Sequence, residues 1–172
     1  LSKGLLPSSI KTAAVVGFPS GAHNPVVKSR EAQQACEHGA NEIDMVVNLA
    51  LVSSANWSAI TDEVLAVRTA IPSGVILKVI IESALWSDEQ IIAVCSAAVQ
   101  GGADFVKTST GFHKSGGASI AAVHLMRTTV GETIGVKASG GIRTYADAIA
   151  MIDAGASRIG ASASRIILAE AQ

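Results

Sequence analysis

The chain has few aromatic residues, few charges and no long apolar run. Aromatic residues make up 3% of its 172 residues and charged residues 16%. Its 13 basic and 14 acidic side chains give a formal net charge of −1 with no basic block, which argues against an electrostatic nucleic-acid binder. The longest apolar candidate for a membrane span, Val75 to Ile81, is too short and contains Lys78. We therefore expect neither nucleic acid nor a membrane as a partner.

Cysteine is almost absent, which excludes a disulfide framework. The two cysteines, Cys36 and Cys95, each lie among alanines in a helix-like stretch and are predicted to be small buried hydrophobic residues. Neither they nor the four histidines show the spacing of a zinc site or a catalytic triad. We therefore expect no metal and place the histidines in loops or on the surface. Reduced thiols fit a cytoplasmic protein.

Hydrophobic residues make up 49% of the chain and follow two alternating patterns. Short runs typical of β-strands alternate with longer stretches in helical spacing, which predicts a parallel sheet with crossover helices. One helix is predicted from the apolar face between Trp57 and Ile71, and capping motifs at Ser87 and Thr144 predict the start of two more. Without a linker or low-complexity segment, we expect a single domain over residues 1–172. The six strand runs are Lys11–Gly17, Glu42–Asn48, Val75–Glu82, Phe105–Ser109, Ile134–Ser139 and Arg158–Ala161.

A Gly-Ala dipeptide precedes three of the predicted strands, beginning at residues 39, 102 and 155. Glycine suits the left-handed position that ends a helix. Five residues after each of these glycines comes a chemically distinctive residue: Asp44, Lys107 and Gly160. In (β/α)8 barrels the C-terminal ends of the strands carry the chemistry. The repeat fits a barrel and an open sheet alike.

Three lysines interrupt apolar strand runs, where an ammonium group loses hydration. Lys78, Lys107 and Lys137 lie in the segments VILKVII, FVKTST and IGVKASGG. A buried lysine either pairs with a carboxylate or favours its neutral form. Side chains alternate along a strand, so Lys78 and Glu82 share one face, and Glu82 is the expected structural partner of Lys78. We expect these two residues in a polar network inside a barrel rather than in direct chemistry.

Lys107 and Lys137 are separated by 30 residues, a spacing typical of one βαβ unit. They are therefore predicted on adjacent parallel strands, about 4.8 Å apart. Two ammonium groups at so short a distance disfavour each other's charged form. A lysine in its neutral form attacks a carbonyl carbon to form a Schiff base. On spacing alone, two lysines that each pair with a carboxylate are an equally good interpretation. Asp44, in the strand EIDMVV, is either such a partner or an acid–base group.

Glycine-containing loops follow the last two predicted strands. Gly140 and Gly141 follow one strand, and Gly160 and Ser162 lie at the end of the next. Glycine lets backbone N–H groups approach an anion, and TIM barrels often hold a phosphate at the loops after their last two strands. Gly111 is a third such position. These loops predict a phosphate site beside the lysines.

Five segments, spread along the chain, carry motifs of a known enzyme family. FVKTSTGF surrounds Lys107, GVKASGGIRT surrounds Lys137 and EIDMV contains Asp44. GFPSG at residue 17 and LKVIIE at residue 77 match as well. Together these segments resemble deoxyribose-phosphate aldolases, where the first three form the Schiff-base lysine motif, the second-lysine motif and the catalytic-aspartate strand. The resemblance covers nearly the whole chain, from Lys11 to Ser164.

The resemblance implies a class I aldolase that reversibly cleaves 2-deoxy-D-ribose 5-phosphate to D-glyceraldehyde 3-phosphate and acetaldehyde. By this resemblance, Lys107 forms the imine, Lys137 perturbs it electrostatically and relays protons, and Asp44 completes the relay. The glycine loops hold the sugar phosphate. No cofactor is expected, because the imine itself is the electron sink. The implied pathway is the breakdown of deoxyribonucleotides and carbohydrates.

The implied fold is a TIM (β/α)8 barrel, but nothing in the chain corresponds to the first two βα units of the family. Six strands are too few to close an eight-stranded barrel. We expect a fragment of a longer protein, since the first residue is Leu1 rather than methionine. A second subunit that covers the unpaired edge strands, and so a homo-oligomer, is the alternative. The chain also departs from many relatives at Ala163, where they carry a hydroxyl or another small residue beside Ser162.

The sequence leaves two other functions open. A different sugar-phosphate enzyme on the same scaffold, such as an isomerase, needs a catalytic Glu or His at a strand end, and Glu82 is the obvious candidate. A catalytically inactive phosphosugar-binding fragment binds a phosphate ligand without turnover. A serine hydrolase is not expected, because Ser109 and Ser139 lack the GxSxG pattern.

Overall fold

The computed structural model describes Leu6, Pro7 and residues 9–172. Six parallel strands form one sheet, in which the order in space follows the order in the chain. Helices connect the strands, and this arrangement is that of a (β/α) barrel wall. The fold class predicted from the sequence is confirmed as part of a TIM barrel. The strands are β1 (Ala13–Val16), β2 (Glu42–Val46), β3 (Ile76–Ile80), β4 (Phe105–Lys107), β5 (Gly135–Ser139) and β6 (Arg158–Gly160).

The sheet is strongly curled, so strands far apart in the sheet meet across its concave face. Arg158 of β6 lies 2.7 Å from Glu42 of β2, although three strands separate them. In a flat sheet, strands four places apart would lie roughly 19 Å from each other. The outer strands β1 and β6 are the two edges, and Val15 of β1 is 49% exposed. The described residues therefore form most of a barrel wall with an open side.

The part of the chain that the structure describes contains seven α-helices. The predicted helix over residues 57–71 is confirmed as the third of them. Capping boxes at Ser87 and Thr144 begin the fourth and sixth helices, as predicted. None of the described helices has the length and apolarity needed to cross a membrane. The helices are α1 (Pro25–Glu37), α2 (Leu49–Ser53), α3 (Trp57–Ala70), α4 (Asp88–Gln100), α5 (Ile120–Val130), α6 (Tyr145–Asp153) and α7 (Ser164–Glu170).

The hydrophobic core fills the layer between the convex face of the sheet and the helices. Met45, Leu77 and Val79 are fully buried in this core. Successive residues of a strand point to opposite faces, so the residues between them, among them Asp44 and Lys78, point to the concave face. The alternating sequence pattern thus places apolar side chains on the convex face, against the helices, and polar side chains on the concave face.

The ends of several strands and helices can be compared with the predicted ones. β3 ends at Ile80 rather than at Glu82 as predicted, because Glu82 has a left-handed backbone (φ 54°) and a 3₁₀ turn follows at Ser83–Leu85. β1 begins at Ala13, two residues after the predicted Lys11. The glycines at 39, 102 and 155 have φ values of 97°, 92° and 109°, which confirms them as helix-ending positions.

Candidate active site

Lys107 and Lys137 lie opposite each other on neighbouring strands, as their spacing predicts. The parallel pairing of β4 with β5 makes the two residues direct Cα partners. Register partners point to the same face of a sheet, here the concave face. Lys107 is 7% exposed and the side chain of Lys137 is 13% exposed. Two amino groups therefore lie side by side with little solvent around them.

The carboxylate of Asp44 binds both of these amino groups. Lys107 Nζ and Lys137 Nζ each lie 2.8 Å from Asp44 Oδ2, and Lys78 Nζ lies 2.7 Å from Oδ1. The carboxylate is 4% exposed. Asp44 and Lys78 are Cα partners on β2 and β3, which brings them together. The structure thus shows Asp44 as an ion-pair partner, and the same contacts permit proton transfer.

Lys78 has a different carboxylate partner from the predicted one. Besides Asp44, its Nζ contacts Glu42, 2.6 Å from Oε2. The expected pairing with Glu82 is wrong, because β3 ends before Glu82 and the following turn directs that carboxylate to Thr110. The expectation that Lys78 belongs to an interior polar network is confirmed by its two ion pairs.

Glu42 extends this network across the curl to β6. Arg158 Nη1 donates to both carboxylate oxygens of Glu42, at 2.8 and 2.7 Å. The Arg158 guanidinium also lies over the Phe105 ring, 4.9 Å from its centroid. Neither Glu42 nor Arg158 was predicted as a site residue, although Glu42 precedes Asp44 by two residues and so shares its face. We call the six ion-paired residues the Asp44 cluster: Glu42, Asp44, Lys78, Lys107, Lys137 and Arg158.

Burial and charge act in opposite directions on the Asp44 cluster. Burial alone would raise the pKa of the Asp44 carboxyl, but Lys107, Lys137 and Lys78 hold this pKa well below its ordinary value. Burial lowers the pKa of the Lys137 amine, Asp44 opposes that shift, and the two other lysines lower the pKa further. Asp44 therefore stays ionised near neutral pH, whereas Lys137 loses its proton more readily than a lysine in water.

A cleft of about 430 Å³ lies beside the two lysines and is bordered by the loops that sequence analysis singled out. Gly140 and Gly141 have φ values of 86° and 85°, which suit a loop whose backbone faces a ligand. Arg143, which was not predicted, lines the cleft as well and is exposed. All predicted site residues except Asp44 line this cleft: Lys107, Gly111, Lys137, Gly140, Gly141, Gly160 and Ser162.

A second buried ion pair lies outside the cleft and was not predicted. Lys28 of α1 and Glu63 of α3 are 2.9 Å apart, and both side chains are 0% exposed. Lys28 Nζ also donates to the Val46 carbonyl at 2.8 Å, and Glu63 accepts the Asn48 N–H at 2.7 Å. The sequence did contain one indication that Glu63 is buried, because Glu63 falls on the apolar face that predicts α3. The pair fixes two helices against the end of β2.

The cysteines and histidines do not line the cleft. All four histidines are exposed, as predicted. Cys95 is fully buried, as predicted, and burial raises the pKa of its thiol to about 12. Cys36 is only half-buried, so the prediction of full burial is wrong there. Within the described residues, no three His, Cys, Asp or Glu side chains group as metal ligands.

Comparison with known proteins identifies the family. The family model described as DeoC/LacD family aldolase matches residues 8–170. The chain belongs to this aldolase family. The deoxyribose-phosphate aldolase of Kocuria rhizophila is 56% identical over 163 residues, which cover 95% of this chain and 75% of that protein. The deoxyribose-phosphate aldolase of Corynebacterium diphtheriae is 53% identical over 165 residues, which cover 96% and 76%.

A solved structure supports the same assignment. The tetrameric deoxyribose phosphate aldolase of Aeropyrum pernix matches with a TM-score of 0.84 at 37% identity, covering 94% of this chain and 68% of that one. The resemblance stated from the sequence motifs is therefore confirmed at the level of family and fold. The alternative functions considered from the sequence are not favoured by these relatives.

Proposed function

We propose that this aldolase reversibly cleaves 2-deoxy-D-ribose 5-phosphate to D-glyceraldehyde 3-phosphate and acetaldehyde through a Schiff base on Lys107. The observation that carries the proposal is the contact of Lys107 and Lys137 with one carboxylate oxygen of Asp44, 2.8 Å from each. One aspartate with three lysines favours the loss of a proton from one of the amines. The names of relatives that are 56% and 53% identical point to the same reaction.

In the proposed reaction, the neutral amine of Lys107 adds to the C1 carbonyl carbon of the open-chain sugar, and water leaves. The resulting iminium withdraws electrons from the C2–C3 bond. That bond breaks as the C3 hydroxyl loses its proton, glyceraldehyde 3-phosphate departs, and a two-carbon enamine remains on Lys107. Protonation of the enamine carbon and hydrolysis release acetaldehyde and restore the amine. The iminium accepts the electrons, so the proposed reaction uses no cofactor.

We assign the proton transfers to Lys137, with Asp44 as its partner. Burial lowers the pKa of the Lys137 amine, so this amine gives up its proton more readily than a lysine in water and can take it back. Asp44 is a poor base, because despite its burial the neighbouring lysines hold its carboxyl pKa far below the ordinary value. Its carboxylate instead stabilises the ammonium group of whichever lysine carries the proton.

We place the sugar phosphate at the glycine loops of the cleft. These loops lie beside Lys107, and backbone N–H groups at glycine are suited to phosphate oxygens. Arg143 adds a positive charge to the same cleft, and Ser162 adds a hydroxyl. The phosphate-binding residues of this proposal are Gly111, Gly140, Gly141, Gly160 and Ser162.

We also propose that residues 1–172 form one partial TIM-barrel domain, active as a homo-oligomer in the cytoplasm. One sheet and one core in the described residues support the domain. The tetrameric relative and the exposed edge strand β1 support self-association. Two free cysteines support a reducing compartment. The proposed partners are the sugar phosphate and the aldehyde, without nucleic acid or membrane, and the proposed role is deoxyribonucleotide and carbohydrate catabolism.

The test is to supply the full chain with 2-deoxyribose 5-phosphate and to measure acetaldehyde through an alcohol dehydrogenase and NADH. Acetaldehyde that forms in proportion to the enzyme, and that is lost in Lys107→Ala, supports the proposal. A rearranged sugar phosphate without acetaldehyde would indicate a different sugar-phosphate enzyme. Binding without any product would indicate a phosphosugar-binding protein. Either of these two results overturns the proposed function.

A further inference from the structure

Glu82 is a buried acid that the proposed reaction does not use. It is 1% exposed and lies two residues after the end of β3, with φ 54° in the left-handed region that residues with side chains rarely adopt. Such strain persists where the surroundings fix it, and it collects at functional sites. The surroundings here are firm, because the Trp86 indole donates to the Ile81 carbonyl at 2.6 Å and the Leu85 N–H donates to the Glu82 carbonyl at 3.0 Å.

The carboxylate of Glu82 holds Thr110 by three hydrogen bonds. The Thr110 N–H donates to Oε1 and Oε2 at 3.2 and 3.3 Å, and the Thr110 hydroxyl donates to Oε2 at 2.6 Å. The same hydroxyl accepts the Phe112 N–H at 3.1 Å, so its own proton is directed at Glu82. We call this arrangement the Glu82–Thr110 clamp. It fixes the turn at residues 110–112 from its buried side.

The Glu82–Thr110 clamp acts on a loop that borders the cleft. Thr110, Gly111 and Phe112 line the cleft together with Lys107, which ends β4 three residues earlier. The clamp occupies the N–H groups of Thr110 and Phe112, so the N–H of Gly111 is the donor of this turn that remains for a ligand. Gly111 has φ 83°, and the direction of its N–H depends on the peptide units that the clamp holds.

We propose that Glu82 is a positioning residue that sets the selectivity of the cleft for a phosphorylated sugar. It acts through Thr110 on the backbone of Gly111 and lines the cleft neither with its carboxylate nor with its backbone. This inference rests on the proposed function, in which Gly111 holds the phosphate. An unphosphorylated sugar has only a hydroxyl in place of the phosphate, so its reaction depends much less on the clamp.

The test compares kcat and KM for 2-deoxyribose 5-phosphate and for 2-deoxyribose in the full chain and two variants. Glu82→Gln places an amide donor against the donors of Thr110, and Thr110→Val removes the hydroxyl at nearly constant size. Each should raise KM for the phosphorylated sugar about tenfold, while kcat/KM for the unphosphorylated sugar changes less than about threefold. In the double variant, KM for the phosphorylated sugar should rise no more than in either single variant, because both substitutions break the same contact.

Matched variants separate selectivity from general damage. Thr69→Val removes a hydroxyl that donates to the Leu65 carbonyl on an exposed face of α3, and it should leave both substrates unaffected. Thr110→Ser keeps the hydroxyl and should restore the selectivity that Thr110→Val loses. Thermal unfolding checks each variant, and if Glu82→Gln does not fold, Thr110→Val at a half-buried position decides the question.

The outcomes of the kinetic comparison are distinct. A selective loss with the phosphorylated sugar supports the clamp. An equal loss of kcat/KM with both sugars, or an unchanged ratio of the two kcat/KM values, overturns the proposed role of the Glu82–Thr110 clamp while the proposed function stands. If the wild-type chain does not cleave the phosphorylated sugar at all, the proposed function falls and this inference falls with it.

Discussion

Two buried charged sites adjoin strand β2, and they differ in how their charges balance. On the helix side, Lys28 and Glu63 form a one-to-one pair at 2.9 Å. On the concave side, the single carboxylate of Asp44 contacts three lysines, two of them through the same oxygen. The first site is closed and neutral, whereas the second has an excess of cations and borders a cleft.

The surroundings of the two sites act differently on their protons. Burial lowers the pKa of Lys28 and raises the pKa of Glu63, while each partner opposes the shift of the other. At Asp44 the lysines overcome the effect of burial, and the pKa of the carboxyl falls. A buried ion pair with balanced charges and satisfied hydrogen bonds, such as Lys28 with Glu63, is therefore a structural element. An excess of buried amines around one carboxylate instead keeps an amine available for chemistry.

The largest effect is expected from removing the proposed nucleophile. Lys107→Ala should lower kcat at least about 10⁴-fold, because no imine forms, while the fold is retained. The acetaldehyde assay measures the rate, and thermal unfolding checks the fold. The exposed lysine Lys11 gives a matched control, since Lys11→Ala should leave turnover unchanged. Near-normal activity of Lys107→Ala would contradict the mechanism.

Breaking the Lys28–Glu63 pair should have the opposite consequence, a large loss of stability with little change in the rate of the reaction. Glu63→Leu leaves Lys28 buried without its carboxylate, so the free energy of unfolding should fall by about 3–5 kcal/mol. Lys28→Met combined with Glu63→Leu should recover most of this loss, because no buried charge is left unpaired. Urea unfolding measures both variants, and kcat of the folded protein should stay within about twofold. A loss of kcat without a loss of stability would make this pair part of the chemistry.

Asp44→Asn should impair turnover more than binding. We expect kcat to fall about 10²- to 10³-fold, because the amide cannot stabilise the ammonium groups during proton transfer. KM for 2-deoxyribose 5-phosphate should change much less, since the phosphate loops are intact. Steady-state kinetics with both constants distinguishes the roles. An equally large loss in binding would make Asp44 a structural partner instead, like Glu63.

The smallest expected effect is on the pH dependence of stability, where the contributions of Asp44 and Glu63 should change in opposite directions as pH rises. The folded-state pKa of Asp44 lies below its unfolded value, so its contribution to stability is present above about pH 4 and is lost as pH falls towards the folded value. Burial raises the pKa of Glu63 in the folded state, so its contribution decreases as pH rises from about 4 towards that folded value. Urea unfolding of Asp44→Asn and Glu63→Gln from pH 3 to 7 should therefore give opposite slopes relative to wild type. Equal slopes would contradict the assigned charge environments.

The residues of the candidate active site were predictable because local rules govern them. The spacing of Lys107 and Lys137 matches one βαβ unit, and strand alternation puts Asp44 on the interior face. The Gly-Ala repeat marks where three helices end and the next strands begin. These features depend on residues close together in sequence, or on motifs long enough to be specific.

The carboxylate partners of Lys78 and Lys28 were not predictable, because they depend on where elements end and how they pack. Lys78 pairs with Glu42 rather than Glu82, since β3 ends before Glu82. Lys28 and Glu63 are 35 residues apart on different helices, and only the packing of α1 against α3 brings them together. No periodicity in the sequence encodes such a contact.

Reduction with borohydride in the presence of acetaldehyde, followed by peptide mass spectrometry of the full chain, tests the central claim most directly. The cation-rich Asp44 cluster should yield a reduced two-carbon adduct on Lys107, and the balanced site should leave Lys28 unmodified. An adduct on Lys137 in place of Lys107, or no adduct from a folded chain, would contradict the assignment of the Schiff base to Lys107.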